Sequence, residues 1–401
     1  MKNYSEHFLM DVETVKDYVV EVVKFFDSKE DLVSKELSDG NINYVFKVEN
    51  SKTKKSLVIK QADKLLRSSK RPLDLYRNKI EAEILKIENQ LVPGLVPKIY
   101  YYDENMAALA MEDISNYKNM RLELDRGVVF PNFANQISEF MVNTLLPTTD
   151  LVLSRKDKKE RVKLFTNIEL CDITEDLVFT EPYYDYKSRN IITKGNEKFV
   201  EEYLYNDETL KAEVGKLRNG FMNNAQALIH GDLHSGSIFI NQTGIKVIDP
   251  EFAFYGPMGY DIGNVIGNLF FALVNKTYTE PNNLKFINWI KKAIAAVYDQ
   301  TFTKLNFKFD QIVSLPLYNK SFKLYYFKEV SSDTIGCAGT EIIRRTVGDS
   351  KVMEVASVTD LKLRLAMERT LIKLGISLIK SRNNINSGEQ IIELFESITN
   401  E

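Results

Sequence analysis

The sequence predicts an α+β protein in two unequal parts, a small β-rich part over residues 1–113 and a large, mainly helical part over residues 114–401. Three observations carry that prediction. Between residues 34 and 112, turn chemistry recurs between β-rich runs, at Asp39-Gly40-Asn41, at Ser51-Lys52-Thr53-Lys54-Lys55 and at Asp103-Glu104-Asn105. After Met111-Glu112-Asp113-Ile114 the apolar pattern lengthens into helical segments, clearest at 133–146, 284–301 and 358–380. Within that second part only 227–249 reads as β-like.

In the first part, residues 76–91 place Ile80, Ile84, Ile87 and Leu91 at intervals of four, three and four, which marks one apolar helix face. One helix therefore crosses a small twisted sheet. Leu57-Val58-Ile59-Lys60-Gln61-Ala62 has strand character, and by itself Lys60 reads as a surface lysine on that strand. The second part holds 154–163 and 187–198, charged and poorly periodic, which read as solvated loops. Trp289, the single tryptophan, lies on an apolar helix and reads as core.

Composition bounds the function classes. The 401 residues are 44% apolar and 27% charged, ordinary for a globular chain, and the net charge of −3 supplies no basic field for nucleic acid or an anionic membrane. Residues 1–10 contain no continuous apolar signal region and no later stretch approaches the length of a membrane span, so the chain is expected to be soluble and cytoplasmic. Cys171 and Cys337 stand far apart with no ligand spacing, and read as buried thiols rather than a disulfide or a zinc site.

Two of the three histidines fall in one polar run, His230-Gly231-Asp232-Leu233-His234-Ser235-Gly236-Ser237, between apolar 227–229 and β-rich 238–240. A loop wedged between buried strands is the expected result. Asn241-Gln242-Thr243-Gly244 then makes a turn, and a hairpin leads to Ile248-Asp249-Pro250-Glu251. Phosphoryl transfer needs a carboxylate beside the attacking hydroxyl and hard oxygen ligands for Mg²⁺ at the nucleotide phosphates. Asp249 and Glu251, two apart, suit the second need, and Asp232 the first. Taken singly, Asp232 is also accounted for as a turn acid, Asp249 as a strand terminator, and His230 as a structural hydrogen-bonder. Asp261, taken by itself, reads as a helix N-cap. No Gly-x-x-x-x-Gly-Lys-Ser/Thr occurs, so a Walker-type phosphate cradle is excluded.

These strings resemble the protein-kinase-like superfamily in its aminoglycoside-phosphotransferase and choline-kinase branch. They are most similar to the 5-methylthioribose kinases, through 230–237, through Asp249-Pro250-Glu251-Phe252-Ala253-Phe254-Tyr255-Gly256-Pro257-Met258-Gly259, and again at 39–43, at 171–179 and at Ile343-Arg344-Arg345. The resemblance implies a two-lobed protein-kinase-like fold, with residues 1–113 binding the nucleotide and 114–401 supplying catalysis and substrate binding. It implies ATP and Mg²⁺ as cofactors, and as acceptor the 1-hydroxyl of 5-methylthioribose, within methionine salvage. By the same resemblance Asp232 orients or deprotonates that hydroxyl, and Asp249 and Glu251 hold the metal, with Pro250 between them at the nucleotide. Ser237 stands where many relatives keep a metal-binding Asn, a departure for which Glu251 compensates. Lys60 meets the α- and β-phosphates, steered by Glu81 or Glu83, between which the sequence does not choose. Asn43 contacts the phosphates from the 39–43 turn, the backbone of Glu112-Asp113-Ile114 meets adenine, and Asp261 gains a second reading as a support beneath the 230–237 loop.

Arg344 and Arg345 lie on a predicted helix over 340–346. By composition they are a solvated face, and neighbours on a helix diverge by ~100°, so at most one is expected to aim into a given pocket. The resemblance assigns the pair to the sugar, and arginine in the pocket argues against the cationic acceptors of related kinases. A homodimer is implied as well. Another sugar or amino alcohol as acceptor, or a silent nucleotide-binding relative, are the competing readings; Lys60, Asp232, Asp249 and Glu251 together speak against the last.

Overall fold

A computed structural model describes residues 3–37, 43–65 and 74–400, so the expected turn at Asp39-Gly40-Asn41-Ile42 lies outside the described residues. The chain divides into two compact units, Met1–Tyr117 with Lys246–Ala253, and Lys118–Ile245 with Phe254–Glu401. The α+β expectation holds, with a sheet in the first unit and helices dominating the second.

The first unit has helix α1 (Thr14–Glu21), strands β1 (Leu32–Leu37), β2 (Tyr44–Asn50) and β3 (Ser56–Gln61), helix α2 (Tyr76–Leu91), and strands β4 (Ile99–Asp103) and β5 (Ala108–Glu112). They form one antiparallel sheet in the order β1-β2-β3-β5-β4. The turns are made as their residues predict: Asn50 Oδ1 accepts the N–H groups of Lys52 and Thr53 at 3.0 and 2.9 Å, and Asp103 Oδ1 those of Asn105 and Met106 at 3.0 and 3.1 Å. Strand alternation sends Phe46, Val48, Leu57, Ile59, Ala108 and Ala110 into one core with Val15, Tyr18 and Val19 of α1. Lys60 consequently leaves the opposite side of β3. On α2 only Ile80 and Ile84 of the expected stripe are fully buried; Arg77, Asn78, Glu81 and Glu88 are buried beside them, a polar row that hydrophobic periodicity does not reveal.

The second unit contains the two-residue strand β6 (Lys118–Asn119), helices α3 (Met120–Asp125), α4 (Phe133–Leu145) and α5 (Arg155–Leu164), and strands β7 (Ala227–Ile229) and β8 (Ile238–Ile240). After β8 the chain turns into β9 (Ile245–Val247), where the two units meet in sequence. Strand β10 (Phe254–Gly256) and helices α6 (Met258–Thr279), α7 (Leu284–Ile312), α8 (Lys320–Val347) and α9 (Leu361–Ser381) follow. β10 pairs antiparallel with β7, and β6 with β8. The 154–163 segment is therefore a helix and not a loop. Ser154 caps it by accepting the Asp157 N–H at 3.1 Å, and buried Lys158, bonded to the carbonyls of Ala225 and Gln226 at 2.7 Å each, replaces an apolar stripe. Residues 187–198 are largely irregular but not freely solvated, since Lys187 and Arg189 both bond Asp176. Cys171 is half-buried where burial was expected, and Cys337 is buried. Trp289 is likewise only half-buried, lying against Phe130 and Phe286.

Helices α6 and α8 pack closely along a glycine row. A Cβ on Gly263 would stand 2.5 Å from the Thr334 carbonyl, and one on Gly267 2.9 Å from that of Ala338. Backbone contact this tight admits no side chain larger than hydrogen. Among the described residues no helix is long and apolar enough to cross a membrane.

Candidate functional site

The first unit gathers charge around Lys60. From the penultimate position of β3 its buried Nζ donates to Glu81 Oε1 at 2.7 Å and to Asp249 Oδ1 at 2.5 Å. Glu81 is thus the carboxylate of α2 that meets the lysine, while Glu83 pairs with Lys86 at 2.7 Å on the helix exterior. Beside them Arg77 donates to Asn43 Oδ1 at 3.1 Å and lies 3.5 Å from Glu251 Oε2. Asp249 adopts a left-handed backbone, φ 61° and ψ 45°, just before the single turn Pro250–Phe252. Among non-glycine residues aspartate enters that region comparatively readily, and here its Oδ1 is bonded to Lys60.

Three carboxylates around one ammonium leave negative charge in excess. Burial alone lowers the Lys60 pKa, but Asp249, Glu81 and Glu251 more than offset it and the net shift is upward. Burial raises the Glu251 carboxyl, with Lys60 opposing. Glu81, the deepest, is pushed up to about 7 by burial, again against the pull of Lys60. A carboxyl whose folded pKa exceeds its unfolded value stabilises the fold below the unfolded value, and that contribution is lost as pH rises through the folded one. Nucleotide-free protein is therefore expected to lose thermal stability between about pH 5 and pH 8 relative to Glu81→Gln. Parallel Tm curves for the two proteins would contradict this.

Glu112 ends β5, where its carboxylate accepts from Lys246 Nζ and the Lys98 N–H at 2.8 and 3.1 Å. Asp113 bonds Ser56, Lys47 and Ser115, and despite burial these donors lower its carboxyl to about 2. Both side chains are thus engaged in shaping the segment, and the Ile114 carbonyl accepts the Tyr117 N–H at 2.8 Å. Among the described residues no group of three or more His, Cys, Asp or Glu gathers as a metal site. The donor set of Asp249, about half exposed, and Glu251 is all hard oxygen, and two carboxylates match what Mg²⁺ takes from protein when phosphates supply further ligands.

In the second unit the 230–237 loop leaves β7, and Asp261 supports it from below. Asp261 lies within the first turn of α6, not at its N-cap, and its carboxylate accepts the His230 and Gly231 N–H groups at 2.7 and 3.0 Å. His230 is buried and its Nδ1 accepts the Asp232 N–H at 3.3 Å, a structural bond. The Asp232 side chain is held from two sides. Arg344 Nη2 and Arg345 Nη2 reach its Oδ1 at 3.2 and 3.5 Å, and His234 Nε2 stands 3.4 Å from its Oδ2. Because His234 Nδ1 accepts the Ser237 N–H at 3.0 Å, Nε2 carries the proton that faces Asp232. Ser237 donates its hydroxyl to the Asp232 carbonyl at 3.0 Å, fixing the loop. Burial would raise the Asp232 pKa, but His234, Arg345 and Arg344 outweigh it and hold the carboxyl well below the usual range. Burial lowers the His234 pKa, so the ring is neutral near pH 7.

The arginine expectation needs correction. Both guanidinium groups meet the same oxygen of Asp232, because Glu341, three and four residues earlier on α8, draws both to one side with bonds of 2.5 and 3.1 Å. Sequence reasoning passed over Glu341, His234 and Arg121. A signal for the first existed in the Glu341-x-x-Arg344-Arg345 spacing facing the Gly259, Gly263, Gly267 row.

Residues 183–280, which include the 230–237 loop and the 249–259 string, match the model of the phosphotransferase enzyme family. The methylthioribose kinase of Bacillus pumilus (strain SAFR-032) is 36% identical over 373 residues, covering 92% of each chain. That of Geobacillus thermodenitrificans (strain NG80-2) is 38% identical over 370 residues, covering 91% of each. Among solved structures, a choline kinase from Cryptosporidium parvum Iowa II superposes with TM-score 0.49 at 15% identity, covering 92% of this chain and 99% of that one. The chain is a kinase of the phosphotransferase class. Within that class it belongs to the methylthioribose kinase family.

Proposed function

We propose that this kinase transfers the γ-phosphoryl group of ATP to the 1-hydroxyl of 5-methylthioribose, as a cytoplasmic homodimer serving methionine salvage. The single observation that carries the reading is Asp232 gripped by Arg344 and Arg345 in a chain of this family. Arginine donors suit the hydroxyls of a neutral sugar and repel the cationic acceptors of related kinases.

Residues 1–113, together with the 249–251 segment, hold the nucleotide in this reading, and the rest of 114–401 holds the sugar. Lys60, kept charged and aimed by Glu81, meets the α- and β-phosphates; Asn43 contacts the phosphates; the backbone of Glu112, Asp113 and Ile114 reads adenine. Asp249 and Glu251 hold Mg²⁺, with Pro250 stiffening the turn between them. When bound, the ion neutralises charge on the phosphates. Asp232 accepts the hydrogen bond of the attacking hydroxyl and fixes its direction, while Arg344 and Arg345 turn their remaining N–H groups to the sugar. Catalysis then rests on orientation and charge neutralisation more than on a strong base.

Purified protein with Mg·ATP and 5-methylthioribose is expected to release ADP and form the 1-phosphate, seen by phosphorus NMR. Its kcat/KM is expected to exceed that for ribose, choline or an aminoglycoside by about 100-fold or more. Equal or better turnover of choline or an aminoglycoside, or no turnover of the thiosugar, overturns the proposal. Sedimentation is expected to give twice the chain mass of 46.2 kDa.

A further inference from the structure

We infer that Glu341 is a positioning residue, whose carboxylate sets the guanidinium groups of Arg344 and Arg345 on Asp232 and ties them back to the loop that carries it. The inference rests on the proposed roles of Asp232 and the arginine pair. Glu341 is completely buried, a costly place for a carboxylate unless its lone pairs are used. They are used: Oε2 accepts from Arg344 Nε at 2.5 Å, and Oε1 from Arg345 Nε at 3.1 Å and Asn268 Nδ2 at 2.9 Å.

This geometry solves the divergence problem of adjacent helical residues. A residue three positions before one arginine and four before the next lies on the helix face between them, so one anion draws both side chains together. Each arginine bonds Glu341 through Nε and so presents its Nη2 edge to Asp232. Without the anion, two like charges converging on one oxygen would separate. Burial raises the Glu341 pKa, yet Arg344 and Arg345 reverse the shift, so the anion is maintained.

The bonds continue into a closed circuit. Asn268 Oδ1 accepts from Arg121 Nη2 at 2.9 Å, and Arg121 Nε donates to Ser235 Oγ at 3.1 Å. Ser235 lies in the same loop as Asp232, so the circuit leaves the loop at Ser235 and returns to it at Asp232. Gly267, whose Cβ would stand 3.3 Å from that of Glu341, keeps α6 close enough for Asn268 to take part.

Glu341→Gln keeps the shape but removes the charge and one acceptor. In the full-length enzyme it is expected to raise the sugar KM by about tenfold or more and leave the ATP KM within about twofold. In an Arg345→Ala background the further effect of Glu341→Gln should shrink to under about threefold, since the residue acts through the arginines. Fully additive effects, or equal rises in both KM values, overturn the inference and leave Glu341 a structural ion pair. A readout independent of the acceptor's identity is available in arginine Nε–H resonances of ¹⁵N-arginine-labelled protein, assigned with Arg344→Lys and Arg345→Lys. Both signals are expected to shift and broaden in Glu341→Gln, and unchanged signals overturn the inference. Absent turnover of methylthioribose by the unmutated enzyme would count against the proposed substrate alone, while the resonances still decide the role of Glu341.

Discussion

Asp232→Asn is expected to lower kcat for sugar phosphorylation by about 10³- to 10⁴-fold while leaving the Kd of Mg·ATP within about twofold. The substitution keeps shape but halves the acceptor capacity of the group at which Arg344, Arg345 and His234 converge. An amide cannot satisfy both sides: with its oxygen toward the arginines, its NH₂ faces the His234 Nε2–H, donor against donor. On the role proposed for Asp232, the hydroxyl then loses the acceptor that aims it. Asp232 already lies well below the usual carboxylate range, because the His234 N–H and the two arginines outweigh burial. A depressed folded pKa contributes stability above the unfolded value and loses it as pH falls through the folded one, so this group titrates only in acid. From about pH 6 to 9 the rate should therefore carry no limb due to Asp232. Titration with a fluorescent nucleotide separates binding from turnover. Retention of a tenth or more of the original kcat would remove Asp232 from the reaction.

Legibility in the sequence followed local chemistry. The 230–237 loop could be read because its flanking strands are apolar and its turn residues are polar, and the sheet because turn-forming residues at 51–55 and 103–105 separate β-rich runs. Glu341 was legible only in part, since its arginine partners lie three and four residues on, but its burial and its bond to Asn268 come from elements distant in sequence. Asn268 and Arg121 reach the circuit from other helices, 73 residues away in the first case. The choice between Glu81 and Glu83 had the same character. Both lie on α2, and only the side to which strand alternation sends Lys60 selects Glu81. Helix α5 escaped because propensity and a serine cap, rather than an apolar stripe, build it; its one buried side chain is a lysine. Asp261 took the first turn of α6 instead of its cap because two loop N–H groups needed an acceptor there.

Lys60→Met is expected to raise the ATP KM and lower kcat, together reducing kcat/KM by about 10²-fold or more, and to destabilise the protein at pH 8. Methionine is close in length to the buried lysine but cannot answer Glu81, Asp249 and Glu251. Removing one partner of a buried ion pair costs on the order of 3–5 kcal/mol, because the remaining charge stays buried. Here Glu81 relieves the strain by taking a proton, so the destabilisation is smaller at pH 5, below the about 7 to which Glu81 is already raised. Loss of the lysine pushes that value further up and widens the pH range in which Glu81 is neutral. A second replacement separates the two roles. Glu81→Leu in the Lys60→Met protein removes the deepest charge and is expected to recover much of the Tm at pH 8, yet not the turnover, since the ammonium proposed to meet the phosphates is still missing. Recovery of activity along with stability in the double variant would show that Lys60 serves folding alone.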